Sequence, residues 1–228
     1  MHFFIFVIII CFTIFLFSLF TFSHDDFVLL RRDISTDQVF NYAFGSSLIS
    51  LIFSRIFYVF LHPQPVFLNP LGFILFPYFP GLSLVGAIFG GILVVLFLWR
   101  KKGFPTGRIL DFFSLSFLSA MPVGFIGFML LSKNKSPFII VQMITYLILF
   151  LALFFIVLPR FTKNGKRDGI IGLIFLVFFS VISFVGNIFS SGTRTILSVE
   201  SLILFLMLTV SLIALFNKIV FKTPLFKK

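Results

Sequence analysis

Apolar residues in this chain run in long blocks, and polar residues gather between them. Seven blocks of roughly 20 residues are each long enough to carry an α-helix across a hydrocarbon core of about 30 Å. They cover 3–22, 39–62, 82–99, 107–131, 138–158, 169–189 and 196–216. The pattern predicts an all-α, polytopic membrane protein with about seven transmembrane helices, in a single transmembrane domain over residues 1–228. No soluble domain, repeat or low-complexity linker interrupts it. The first block differs from a secretory signal. No Lys or Arg precedes it, its run is about twice the usual apolar stretch, and Ile8, Ile9 and Ile10, not small residues, stand before Cys11. It is expected to span.

The polar positions set an orientation. The connections after blocks one, three and five and the C-terminal tail hold fourteen of the basic residues: Arg31, Arg32, Arg100, Lys101, Lys102, Arg108, Arg160, Lys163, Lys166, Arg167, Lys218, Lys222, Lys227 and Lys228. The opposite side holds three, Lys133, Lys135 and Arg194. Cytoplasmic loops are enriched in Lys and Arg, so the N-terminus is predicted outside and the C-terminus in the cytoplasm.

One connection departs from the pattern. Five of the ten prolines, Pro63, Pro65, Pro70, Pro77 and Pro80, fall between blocks two and three, within an otherwise apolar stretch. Proline breaks regular helix, and non-helical backbone is not tolerated against lipid tails. Residues 63–80 are therefore expected either to rest at the outer interface or to re-enter the protein beside a gap for lipid.

Composition sharpens this picture. The chain is 60% hydrophobic and 11% charged, whereas soluble domains are about a quarter charged. Forty Phe against four Tyr and one Trp reads as a coding bias and not as an aromatic site. The formal charge of +11 is of a size that binders of nucleic acid or of an anionic surface carry. The cations nonetheless fall where topology needs them, and no nucleic-acid partner is predicted. A lone cysteine, Cys11, and His2, His24 and His62 at no ligand-like spacing predict no disulfide, metal or cofactor.

Ionisable groups inside the blocks cost roughly 2.5–3.5 kcal/mol each on insertion scales, so each needs a reason. Arg55, about two-thirds of the way out along block two, is either a structural arginine satisfied by backbone carbonyls or a ligand for an anion or phosphate. Asp111 lies near the start of block four, where the helix dipole and Arg108 three residues earlier suit a carboxylate. Glu200 near Arg194 has the same explanation in block seven. Small residues mark two faces, Gly81, Gly86, Gly90 and Gly91 in block three and Ser116, Ala120, Gly124 and Gly127 in block four, with Pro122 as a kink site. Close helix packing is their commonest meaning, with a ligand-adjacent backbone as the alternative. No nucleophile–base pair or phosphate loop is visible.

The order of these pieces resembles the prolipoprotein diacylglyceryl transferase family of bacterial inner membranes, from about Asp33 to about Leu204. Phe53-Ser54-Arg55-Ile56-Phe57-Tyr58-Val59 is similar to the family's Gly-Ala-Arg-Leu-Gly-Tyr-Val run. An Asn-Pro pair follows at Asn69-Pro70. Gly81-Leu82-Ser83-Leu84-Val85-Gly86-Ala87 resembles a Gly-Met-Ser-Phe-His-Gly-Gly type run, and Asp111 stands where the family has an Asp. The signature Gly-Arg-Ile-Gly-Asn-Phe is matched at its glycines by Gly124-Phe125-Ile126-Gly127-Phe128-Met129, and Leu197-Ser198 resembles a pair before the last span.

The resemblance implies a seven-span fold and transfer of diacylglyceryl from phosphatidylglycerol to a lipobox cysteine. Phosphatidylglycerol and lipobox-containing preproteins would be the partners, and the bacterial plasma (inner) membrane the location. It implies Arg55, Tyr58, Ser83, Gly86, Asp111, Gly124 and Gly127 as lipid or pocket residues. The chain departs from the family where chemistry is done. The family histidine is Val85, the signature arginine Phe125 and the asparagine Phe128. A glutamate falls near Lys133, and an Arg and a Glu of span six fall near Ser183 and Asn187. Stabilising a departing glycerol phosphate needs cations or several donors, and phenylalanine supplies none. The expectation is a degenerate site filled by rings. The alternatives are a non-catalytic membrane protein that binds lipid or a membrane partner, and a small transporter. Transport should leave polar groups near midplane on several spans, and the chain offers Arg55.

Overall fold

The computed structural model describes residues 2–24, 26–69, 72–73, 81–131, 137–159, 168–191 and 198–220. No strand occurs among them. Six helices are long and apolar enough to cross a membrane, over Phe3–His24, Thr36–Leu61, Thr106–Leu131, Phe138–Val157, Ile170–Phe189 and Val199–Ile219. The protein is thus an all-α, multi-pass membrane protein. The chain divides into two compact units, Met1–Thr106 and Gly107–Lys228.

The first unit holds α1 (His2–His24), a short α2 (Phe27–Leu30), α3 (Thr36–Leu61) and α4 (Leu84–Val94), which runs on into a π-helical turn, Val95–Trp99. The helix starts follow local chemistry. The Asp26 carboxylate accepts from the amides of Val28 (3.0 Å) and Leu29 (3.1 Å) and starts α2. Ser35 caps α3 through the Gln38 amide at 3.3 Å, with Asp37 in the first turn where the dipole favours it. α3 ends at Leu61, one residue before His62-Pro63. α1 and α4 both pack on α3.

The segment expected as a third full span is shorter. α4 has eleven α-helical residues and five more in the π-helical turn, about 24 Å at the α-helical rise and short of a hydrocarbon core.

The second unit holds α5 (Thr106–Leu131, with Pro122 inside it), α6 (Pro137–Ala152, running into a π-helical turn at Leu153–Val157), α7 (Ile170–Ser191) and α8 (Val199–Val220). α8 packs along α7, and α6 also packs on α7. α7 starts after Gly169, whose φ of +87° puts it in the left-handed region that glycine enters without a Cβ penalty. Arg194, expected beside Glu200, lies outside the described residues, as do 70–71 and 74–80 of the proline-rich connection.

Candidate functional site

Arg55 lies six residues inside the end of α3 and is 4% exposed. Its guanidinium donates to three backbone carbonyls: Nε to Phe73 at 3.1 Å, Nη1 to Gly81 at 2.8 Å and Nη2 to Gly72 at 2.9 Å. The Phe67 ring stands 4.8 Å from the guanidinium carbon and the Tyr58 ring 5.8 Å, both within cation–π reach. Of the two roles open to this residue from sequence, the geometry is that of the backbone-bonded arginine.

Ser54, beside it, fixes where α4 begins. The Ser54 hydroxyl donates to the Ser83 carbonyl at 2.8 Å, and the Ser83 amide returns a bond to the Ser54 carbonyl at 3.1 Å. Ser83 also caps α4, accepting from the Gly86 amide at 3.2 Å. Ser54 precedes the end of α3 by seven residues, a rise of about 10 Å. α4 therefore starts well below the end of its partner, which explains why it is short. The carbonyls of Gly72 and Phe73, in a short helical stretch, and of Gly81, just before α4, sit at that level, and Arg55 donates to all three.

The glycines let this happen. A Cβ on Gly81 would collide with the Tyr58 ring. One on Gly86 would lie 2.5 Å from Phe57 Cβ and 3.0 Å from the Phe53 carbonyl, and one on Gly90 2.5 Å from Phe53 Cβ. Ser50 donates to the Ala87 carbonyl across the same seam. The glycine face of block three is a helix-packing surface. Arg55, Tyr58, Ser83 and Gly86 are thus brought together in the first unit. The unit's acidic residues all fall between 25 and 37. Asp37, the last of them, is about 27 Å along α3 from Arg55, and among the described residues the hydrogen-bond partners of the guanidinium are the three carbonyls.

Asp111, Gly124 and Gly127 all lie on α5, but Asp111 is about 20 Å of helix rise from Gly124 and shares no centre with the glycines. Asp111 answers a different helix from the one expected. Fully buried, it accepts from the Gly169 amide at 2.6 Å and the Gly172 amide at 2.8 Å. It thereby caps the N-terminus of α7, where amides are orphaned and a negative charge is favoured. Arg108 forms an ion pair with Asp168, at 3.7 Å. Lys218, in the last turn of α8, interacts electrostatically with Asp111 and Asp168, and a Cβ on Gly169 would lie 2.8 Å from its Nζ. The starts of α5 and α7 and the end of α8 therefore meet at one end of this unit. Asp168 escaped the sequence reading, and Lys218 entered it only as a topology cation; the Asp-Gly before an apolar run and the lysine just past the last block were the available signals.

Further along α5, Phe125 is packed among rings. Phe125 stacks on Tyr146 (centroids 5.6 Å, 21°), Tyr146 lies 6.3 Å from Phe179, and Phe179 5.8 Å from Phe175. The buried Tyr146 hydroxyl shares a hydrogen bond with Ser183, at 3.1 Å. Phe125 and Ser183 meet here through Tyr146. That tyrosine was not singled out, although it is one of four among forty Phe. Val85 is buried at 2% exposure and Phe128 is 55% exposed. Among the described residues no group of three His, Cys, Asp or Glu could hold a metal ion.

No protein-family model matches the chain, and no curated protein matches it.

Proposed function

We propose that this chain is a divergent relative of the prolipoprotein diacylglyceryl transferases that has lost the transfer chemistry and persists as a phospholipid-associated, non-catalytic membrane protein. It would cross the bacterial inner membrane seven times, α4 included, with the N-terminus outside and the C-terminus in the cytoplasm. Fourteen basic residues against three support that orientation.

The observation that carries the loss of chemistry is the state of Arg55. Transfer from phosphatidylglycerol to a thiol needs a cation free to take charge developing on the departing glycerol phosphate. The deep guanidinium is occupied by the Phe73, Gly81 and Gly72 carbonyls. Phe125, stacked on Tyr146, adds ring in place of charge.

The experiment is to incubate the purified full chain with phosphatidylglycerol and a lipobox peptide. No thioether-linked diacylglycerol above background is expected. Its formation, abolished by Arg55→Leu, would overturn this reading and restore the transferase.

A further inference from the structure

We infer that the first unit carries a lipid contact to which Arg55 does not belong: a preformed cationic patch that takes the phosphates of anionic phospholipid headgroups. Two tight turns build it. One follows α2, where the amides of Arg32 and Ile34 return to the Leu29 carbonyl (3.0 and 3.1 Å) and Asp33 adopts φ +54°. The other follows the π-helical turn of α4, where the amides of Lys102 and Phe104 return to the Trp99 carbonyl (3.2 Å each) and Gly103 adopts φ +78°. Arg32 Nη1 joins them by donating to the Gly103 carbonyl at 3.3 Å.

Five cations, Arg31, Arg32, Arg100, Lys101 and Lys102, are thereby held on adjoining turns, and all five are exposed. Among the described residues the exposed carboxylates at this end are Asp33 and Asp37, and Asp26 is buried beneath the α2 amides, so positive charge is in excess. Under the patch lie Trp99, Phe104 and Tyr42, with centroids 5.0–5.7 Å apart, and Trp99 donates to Ser46 at 2.8 Å. Trp99 and Phe104 are buried, so these rings give the two turns a packed base. The positive-inside rule accounts for basic loops but not for two loops hydrogen-bonded into one surface. Clustered Lys and Arg beside a span attract anionic lipid, and Arg binds phosphate as a fork. This patch stands whether or not the proposed kinship does.

The full chain, reconstituted in vesicles, is compared with spin-labelled phosphatidylglycerol and spin-labelled phosphatidylcholine at equal mole fraction. A larger protein-immobilised fraction of the phosphatidylglycerol label is expected, with a preference of about fivefold for each cation engaged. The preference should fade toward 1 M salt, where the screening length falls to about 3 Å. The variant R31Q/K101Q/K102Q, which spares the Arg32 bond, should lose most of it. Equal immobilisation of the two labels at low salt, a salt-independent preference, or full retention in the variant would each overturn the patch. If the variant misfolds, the salt series on the unaltered chain decides.

Discussion

Arg55 and Phe125 both stand where the proposed kinship expects arginine, one in each unit, and the protein treats them in opposite ways. At Arg55 the chain keeps the cation and surrounds it with the carbonyls of Phe73, Gly81 and Gly72. At Phe125 it has a ring stacked on Tyr146. The difference lies in what surrounds each position. Arg55 faces backbone carbonyls within reach of its three donors, whereas Phe125 sits on a helix beside other rings. A charge at membrane depth is accommodated where backbone groups bond it. Asp111 follows the same rule with the sign reversed, as a carboxylate held by the amides of Gly169 and Gly172.

The comparison breaks most sharply at Phe125→Arg. Inserting an arginine costs about 2.5–3.5 kcal/mol at a span centre, and losing the ring pair adds about 0.5–1.5 kcal/mol. A total near ~4 kcal/mol should show as a collapse in folded yield from detergent; a yield equal to the parent would mean the ring column still hides a site for charge.

Arg55→Leu comes next. It forfeits three charge-assisted bonds of about 1.5–3 kcal/mol each but recovers the cost of burying an ion, for a net loss of about 3 kcal/mol. Thermal unfolding in detergent measures it. Unchanged stability combined with lost lipid binding would recast Arg55 as a ligand and not an anchor.

Asp111→Asn should cost less, about 2 kcal/mol, because the amide keeps one acceptor and turns a donor toward the other backbone amide. Hydrogen exchange should then quicken at Gly169 and Gly172 while the residues around Arg55 stay protected. Equal quickening in both places would mean the two buried charges do not hold separate parts of the fold. The smallest effect is Phe125→Leu at about 1 kcal/mol; a loss as large as that of Phe125→Arg would show that the ring itself, and not the absence of charge, matters there.

The glycine positions were legible in part. Gly86 and Gly90 read as packing residues at small-xxx-small spacing, and they face Phe57 and Phe53 across the α3–α4 seam. Asp111 was legible as a carboxylate answering a helix dipole, but the dipole belongs to α7, whose Gly169 amide lies 58 residues further along the chain. Sequence spacing names local partners such as Arg108, and a contact over that separation carries no periodic trace. The shortness of α4 was hidden for a related reason, since Leu82 and Leu84 extend the apolar block without revealing that Ser83 is tied to Ser54.

The amino-acid sequence alone determined that this protein is helical and lives in a membrane, because long apolar blocks have no other solvent, and it located the buried charges by their rarity. Only the tertiary structure decided what those charges do. A guanidinium or carboxylate in a span must find partners, and which carbonyls or amides lie within about 3 Å depends on how helices far apart in the chain come to rest against each other.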